Sequence, residues 1–224
     1  MKFIALCMIV KNEAHVIRRC LDSVRPLVDY ALIVDTGSDD GAQATIRAYL
    51  EESGTPGEVL DEPWRDFGWN RSLALERLRE KPDIDYALMI DADEVLVFAP
   101  GFDAAGFKRS LDRDLYDVET RLAGAVYLRP QLFRNAPGFC FKGALHEYLE
   151  CPEGASRGVV SGFYNKPIQD GARTLDEKNT LTTRPGSRRR SPRRAILSSS
   201  RVIASISPKA IATRANEPRR WRTT

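Results

Sequence analysis

The chain has 224 residues, 42% of them hydrophobic, and a formal net charge of +3. That size and apolar share allow one sizeable core and exclude a disordered or fibrous protein, and no run approaches the roughly 20 apolar residues of a membrane span. The small net charge hides an asymmetry: beyond about residue 178 arginine dominates and Glu217 is the only acid, so the acidic surface belongs to the first part of the chain.

Phe3–Val10 (FIALCMIV) is a continuous apolar run and predicts a first strand buried on both faces. It ends in Lys11, Asn12 and Glu13 without a small-residue cleavage site, so it is not read as a signal peptide. Asn12 suits the cap of an amphipathic helix that places Ile17, Cys20, Leu21 and Val24 on one face and ends before Pro26. Tyr30–Val34 predicts a second strand, which runs into the polar loop Asp35–Gly41; Ala42, Thr45, Ile46, Tyr49 and Leu50 then share a helical face. Val59 and Leu60 mark a weak third strand, and Phe67–Arg79 a third helix. This alternation predicts a parallel sheet with right-handed crossovers. In the third helix Arg71, next to Asn70, shares a stripe with Phe67, Ala74 and Leu78. An arginine on the buried side needs an anion, unless its stem snorkels to water.

Tyr86–Ile90 is another buried strand, and it stops abruptly at Asp91, Ala92, Asp93 and Glu94. Asp is also a common turn residue. However, Asp35 and the Asp91/Asp93 pair each follow a buried strand, so both are expected on the rim where open α/β sheets bind ligands. Asp-x-Asp supplies the one or two carboxylates that Mg²⁺ or Mn²⁺ takes when phosphates and water fill its other positions. On this reading Asp93 binds the metal, Asp91 binds it directly or through water, and Asp35 accepts hydrogen bonds from the base or ribose of a nucleotide. Arg71, Arg129 and Arg134 are the candidates for neutralising a diphosphate, and Glu94 is a structural neighbour of the motif.

Farther along, Val95–Phe98 is expected at a sheet edge and Pro100–Arg113 as a loop with a short helix. Ala125–Arg134 alternates as a half-buried strand that Pro130 confines to an edge or bulge. Gly138–Glu150 reads as a strand, a turn and a second strand or short helix, with His146 beside Glu147, and Val159–Tyr164 as a last strand. Cys7, Cys20, Cys140 and Cys151 form no C-x-x-C pair, which suggests reduced thiols, a cytoplasmic location and no structural zinc. Residues 179–224, rich in Arg, Ser, Thr and Pro, are expected to be disordered. Their functional reading is a basic arm for anionic lipid or nucleic acid; the preferred one is a frameshifted or truncated end that impairs activity.

MIVKNE, VDTGSDDG and DADE occur in an order and spacing that resembles the family 2 glycosyltransferases of GT-A fold. FGWNRSLAL and FKGALHEYLE resemble further blocks of the bacterial branch containing lipopolysaccharide-core glucosyltransferases and tetratricopeptide-repeat fusions. The resemblance covers roughly residues 1–178 and implies a Rossmann-like α/β domain: a mostly parallel sheet flanked by helices, with a mixed or antiparallel C-terminal portion. It also implies an inverting transferase of the cell-envelope type that uses a nucleotide sugar, often UDP-linked, with Mg²⁺ or Mn²⁺. Glu13 and Asp35 then fall at nucleotide-contacting positions, joined by Asn70 and Arg71, and Asp91 and Asp93 at the metal motif. Inversion needs one base for the acceptor hydroxyl; Glu147 is preferred, with His146 as a metal or diphosphate contact or as the base itself. The expected partners are a nucleotide-sugar donor and a glycan, lipid-linked or protein acceptor, with peripheral contact at the inner membrane face allowed and no nucleic acid. The alternatives are a catalytically silent nucleotide-sugar binder, a basic nucleic-acid-binding protein, and a nucleotidyltransferase, whose usual Gly- and Lys-rich phosphate loop MIVKNEAH lacks.

Overall fold

The computed structural model describes residues 1–144 and 147–176. Its first half follows from the apolar runs. β1 (Ile4–Val10), α1 (Ile17–Val24), β2 (Tyr30–Asp35), α2 (Ala42–Ser53), β3 (Gly57–Asp61), α3 (Phe67–Arg79) and β4 (Tyr86–Met89) alternate along the chain. The strands lie parallel in the order β3-β2-β1-β4. Alternate residues of β1 enter opposite layers. Ile4, Leu6, Met8 and Val10 pack with Ile17, Cys20 and Leu21 of α1 and Ile46 of α2, while Ala5 and Cys7 share a cluster with Ala74, Leu75 and Leu78 of α3. A strand covered on both sides has no face that needs polar residues, hence the unbroken run in the sequence.

The second half contains β5 (Glu94–Phe98), α4 (Ala104–Ser110), β6 (Leu115–Leu122), β7 (Ala125–Arg134), β8 (Cys140–Lys142), β9 (Tyr148–Glu150), β10 (Arg157–Val159) and β11 (Phe163–Pro167). It extends the sheet as β4-β7-β6-β11-β5 with β10 beside β6, while β8 and β9 form a separate two-stranded ribbon. β7 runs antiparallel to both β4 and β6, and β5 antiparallel to β11. The result is a mixed sheet whose parallel part comes first.

Two local expectations need correction, those for Asn12 and for Val159–Tyr164; β6 has no counterpart in the sequence reading, and Pro130 sits at a bulge, one of the two places expected for it. β6 (LYDVETRL) escapes the apolar pattern because the buried Asp117 is satisfied by two 2.6 Å bonds from Arg157, so a charge occupies an inward position. β7 is interior, and Pro130 is accommodated at a bulge: Tyr116 faces Leu132 but Asp117 faces Pro130, leaving Gln131 as the extra residue. Asn12 does not cap α1. It takes a left-handed φ of 58° and its Oδ1 accepts the Asp39 N–H at 2.9 Å, lacing the β1 turn to the loop after β2. The strand expected over Val159–Tyr164 divides at Gly162 into β10 and β11. β5 does end the sheet; the boundary near residue 178 and the tail after it lie outside the described residues.

The entry to α3 sets the heights of Asn70 and Arg71. Asp66 precedes the helix in extended conformation and accepts the Trp69 N–H at 2.7 Å, satisfying one of the unpaired amides of the first turn. Asp66→Ala should therefore lower stability by about 1 kcal/mol, measured by urea unfolding; an unchanged midpoint would show that the cap contributes nothing here.

Candidate functional site

Register places the site. Val10 pairs with Asp35 and Cys7 with Met89, so β2, β1 and β4 end at nearly one level. The structure thereby brings Asp35, the turn through Glu13 and the Asp91–Asp93 pair onto a single rim. Neighbouring strands lie about 4.8 Å apart, so β2 and β4, flanking β1, are separated by about 10 Å. An extended ligand is needed to touch both ends of that row.

At the β2 end, Asp35 is completely buried. Its Oδ1 accepts the Gly37 and Ser38 N–H groups at 2.9 and 2.8 Å, while Oδ2 is buried with no partner among the described residues. A buried carboxylate oxygen without a donor is costly and calls for one. Around it the loops are tied together: Ser38 Oγ accepts the Asn12 N–H at 2.8 Å, and Asp40 Oδ2 accepts that of Ala14 at 2.8 Å.

At the β4 end, Arg71 meets its anions within the chain. Its side chain is only 7% exposed; Nη2 donates to Asp91 Oδ1 at 2.6 Å and Nε lies 3.4 Å from Glu147 Oε1. Arg129 approaches from β7, with Nη2 3.9 Å from Asp91 Oδ2 and Nη1 2.5 Å from Glu94 Oε1. Burial works against the Asp91 carboxylate, but Arg71 and Arg129 outweigh it and hold its pKa below the usual value. Asp93 shifts the other way: burial and then the charge of Asp91 raise it, opposed by the Gly171 N–H. The two carboxylates of the motif thus differ in character, Asp91 fixed by arginines and Asp93 with no arginine ion pair among the described residues.

Residues 168–172 close over this pair. Asp93 O accepts the Ile168 N–H at 2.9 Å, and Glu13 accepts that of Ala172 at 3.2 Å. A Cβ on Gly171 would lie 3.0 Å from Glu13 Oε1 and 3.2 Å from Asp93 Cγ, so only glycine packs here without displacing a carboxylate. Sequence reasoning missed this segment and also the central part of Glu94; the lone Gly171 before a polar helix start was the one signal. Of the other candidates, Asn70 is buried and uses both polar atoms on its own loop, accepting the Arg65 N–H and donating to Pro63 O. Arg134 is not brought to the rim. It faces Tyr86 at the opposite end of β4 and pairs with Asp114 at 2.9 Å. His146 lies outside the described residues. Asp91 and Asp93 are hard oxygen donors at an accessible rim, a set that fits Mg²⁺ or Mn²⁺ sharing a diphosphate.

This arrangement coincides with a family pattern: residues 5–99 match the model described as glycosyl transferase family 2. Residues 5–99 are a family 2 glycosyltransferase domain. A TPR repeat-containing protein of Synechococcus elongatus is 32% identical over 152 residues, 66% of this chain and 35% of that protein. Lipopolysaccharide core biosynthesis glycosyltransferase LpsC of Rhizobium meliloti is 33% identical over 89 residues, 40% of this chain and 31% of LpsC. The chain spans about a third of the length of these relatives. The crystal structure of S. aureus TarS 1-349 in complex with UDP-GlcNAc shares the fold, with a TM-score of 0.56 at 16% identity over 78% of this chain and 61% of that one. The described residues thus form a mixed α/β, GT-A-like sheet, and the Asp35 and Asp91–Asp93 loops fall within the family match.

In this glycosyltransferase domain Glu13 supplies a pH handle. Burial pushes its carboxyl from the ordinary 4.5 up to about 7, against the opposing effect of the Ala172 N–H. Because the folded-state value is raised, folding favours the neutral form; that contribution is complete below the ordinary value and is lost as pH rises through about 7. Glu13→Gln should match wild type in melting temperature near about pH 4, below the ordinary value, and exceed it near about pH 8, above the raised one. A difference that does not change with pH would show that the carboxyl is not perturbed.

Proposed function

We propose that the chain transfers a sugar from a nucleoside-diphosphate donor, UDP-linked by preference, to an acceptor hydroxyl with inversion at the anomeric carbon. The observation that supports this most is the single rim joining an orphaned acceptor, Asp35 Oδ2, to the Asp91–Asp93 pair, within a family 2 domain. In this reading Asp35 accepts hydrogen bonds from the base or ribose, and the diphosphate lies toward β4 beside Arg71 and Arg129. Asp93 is the direct metal ligand and Asp91, already held by Arg71, the indirect one. A Mg²⁺ or Mn²⁺ ion there supplies electrostatic stabilisation of the departing diphosphate.

The chain's own groups account for the proton. Glu147 shares the Arg71 guanidinium with Asp91, so its carboxylate opens on the same rim. There it takes the proton of the acceptor hydroxyl as the new glycosidic bond forms and the bond to the diphosphate breaks on the opposite face. His146 beside it remains the second candidate for a metal or diphosphate contact. The acceptor class is a glycan, lipid-linked sugar or protein of cell-envelope assembly, the kind of reaction that the name of LpsC describes for that relative. A cytoplasmic location is part of this reading, supported by the absence of any C-x-x-C pair in the sequence; no helix among the described residues is long and apolar enough to cross a membrane.

Calorimetry tests this reading. UDP should bind more tightly with Mn²⁺ than without it, and Asp93→Ala should abolish that gain, a loss of at least about tenfold or 1.4 kcal/mol. Metal-assisted binding that survives in Asp93→Ala would remove the motif from the site.

A further inference from the structure

Glu94 is the most deeply enclosed carboxylate of the DADE motif, 3% exposed against 37% for the Asp91 side chain. Too buried to face a ligand, it is used entirely on the turn beside it. Its Oε2 accepts the Asp91 N–H at 3.2 Å, and its own N–H donates to Asp91 O at 3.0 Å, so the Asp91–Ala92–Asp93 turn is closed in both directions. Oε1 takes Arg129 Nη1 at 2.5 Å, and Arg129 Nη2 is the group 3.9 Å from Asp91 Oδ2. Gln131, the extra residue of the β7 bulge, adds a third donor: its Nε2 lies 3.2 Å from Met89 O and 3.5 Å from Glu94 Oε2.

The sheet makes this contact non-trivial. Arg129 belongs to β7 and Glu94 to β5, and β6 and β11 lie between them in the sheet. Their 2.5 Å approach therefore spans the inside of a curled sheet and fastens the start of its edge strand β5 to β7. Three donors, the Asp91 amide, Arg129 and Gln131, converge on two oxygens. Only a carboxylate can accept all of them. An amide of the same shape would turn its NH₂ toward at least one donor, leaving a buried group unpaired.

We propose that Glu94 is a positioning residue for the transfer reaction: it sets the Asp91–Asp93 turn in the geometry that presents Asp93 to the metal and diphosphate. This rests on the transferase reading above. Arg129 and Gln131 act through Glu94, so the β7 bulge is part of the same support.

The experiment compares full-length wild type with Glu94→Gln by three measurements: Mn²⁺-dependent UDP calorimetry, UDP binding without metal, and amide hydrogen exchange. The expected result is exchange at the Asp91 amide at least about tenfold faster with β1 and β2 amides unchanged. Mn²⁺ should bind at least about tenfold more weakly in the presence of UDP, and metal-free UDP binding should stay within about twofold. Mn²⁺ affinity within about twofold of wild type overturns the proposal, as does parallel loss of metal-free UDP binding and of protection throughout the sheet. If Glu94→Gln does not fold, Glu94→Asp is read in the same way. It keeps a charge for Arg129 but withdraws the oxygen from the Asp91 amide, so Mn²⁺ binding should still weaken severalfold; wild-type affinity overturns the proposal. Wild-type protein that shows no Mn²⁺-assisted UDP binding overturns the transferase reading and this role with it, whereas wild-type and Glu94→Gln proteins that gain equally from Mn²⁺ overturn this role alone.

Discussion

The common end-point of three parallel strands is the constraint on which the site depends. β1 is paired to β2 on one side and β4 on the other, so neither neighbour can slip without exposing residues that both layers bury. Because those strands are parallel, their carboxyl ends lie together, and loops far apart in sequence open side by side. Asp35 and Asp91 are brought to one rim by backbone pairing, before any side chain interacts. The small residues of β1 and β4 on the α3 side, Ala5, Cys7 and Ala87, share that helix's layer, the one from which Arg71 reaches the rim.

Electrostatics then sorts the acids along this rim. Asp91 and Glu94 face arginines, and Arg71 also faces Glu147, so charge is compensated at the β4 end. Burying either partner alone would cost several kcal/mol, and breaking a buried pair is more damaging than replacing both partners. Asp93 and Glu13 receive backbone N–H groups and have raised pKa values; Glu94 is raised as well, because burial outweighs Arg129, and of these acids only Asp91 is lowered. Within one motif Asp91 and Glu94 are thus held by arginines, while the Asp93 carboxyl between them takes backbone N–H groups.

Much of this was legible in the sequence wherever chemistry and period coincide locally. The strand and helix order to β4, the two acid-bearing loops and the misplaced Arg71 can all be read from short windows, because each signal is a break in a local pattern. What could not be read depends on partners distant in sequence. Glu94 passes for a neighbour of the motif until Arg129, 35 residues on, reaches it. Glu13 gives no hint of Ala172, 159 residues away. β6 hides because Asp117 and Thr120 occupy buried positions that an alternation rule reserves for apolar residues. Arg134 was misplaced by direction: β7 is antiparallel to β4, so residue numbers rise away from the rim, and Arg129 reaches Asp91 while Arg134 ends beside Tyr86.

The cover over Asp93 is held differently from the floor beneath it. Residues 168–172 are tied to α1 through the exposed Arg19–Asp170 pair at 2.6 Å and to the turn before it through His15, whose ring lies 2.8 Å from the Asp170 carbonyl. Exposed pairs of this kind contribute between about 0 and 1 kcal/mol each, because water and salt screen them. In the Arg71–Asp91 and Arg129–Glu94 contacts below, Arg71 and Glu94 are the buried partners, and neither can lose its counter-charge without being stranded. Charge pairing is therefore distributed unevenly around Asp93, with arginine–carboxylate contacts on the sheet side and an exposed ion pair on the segment 168–172.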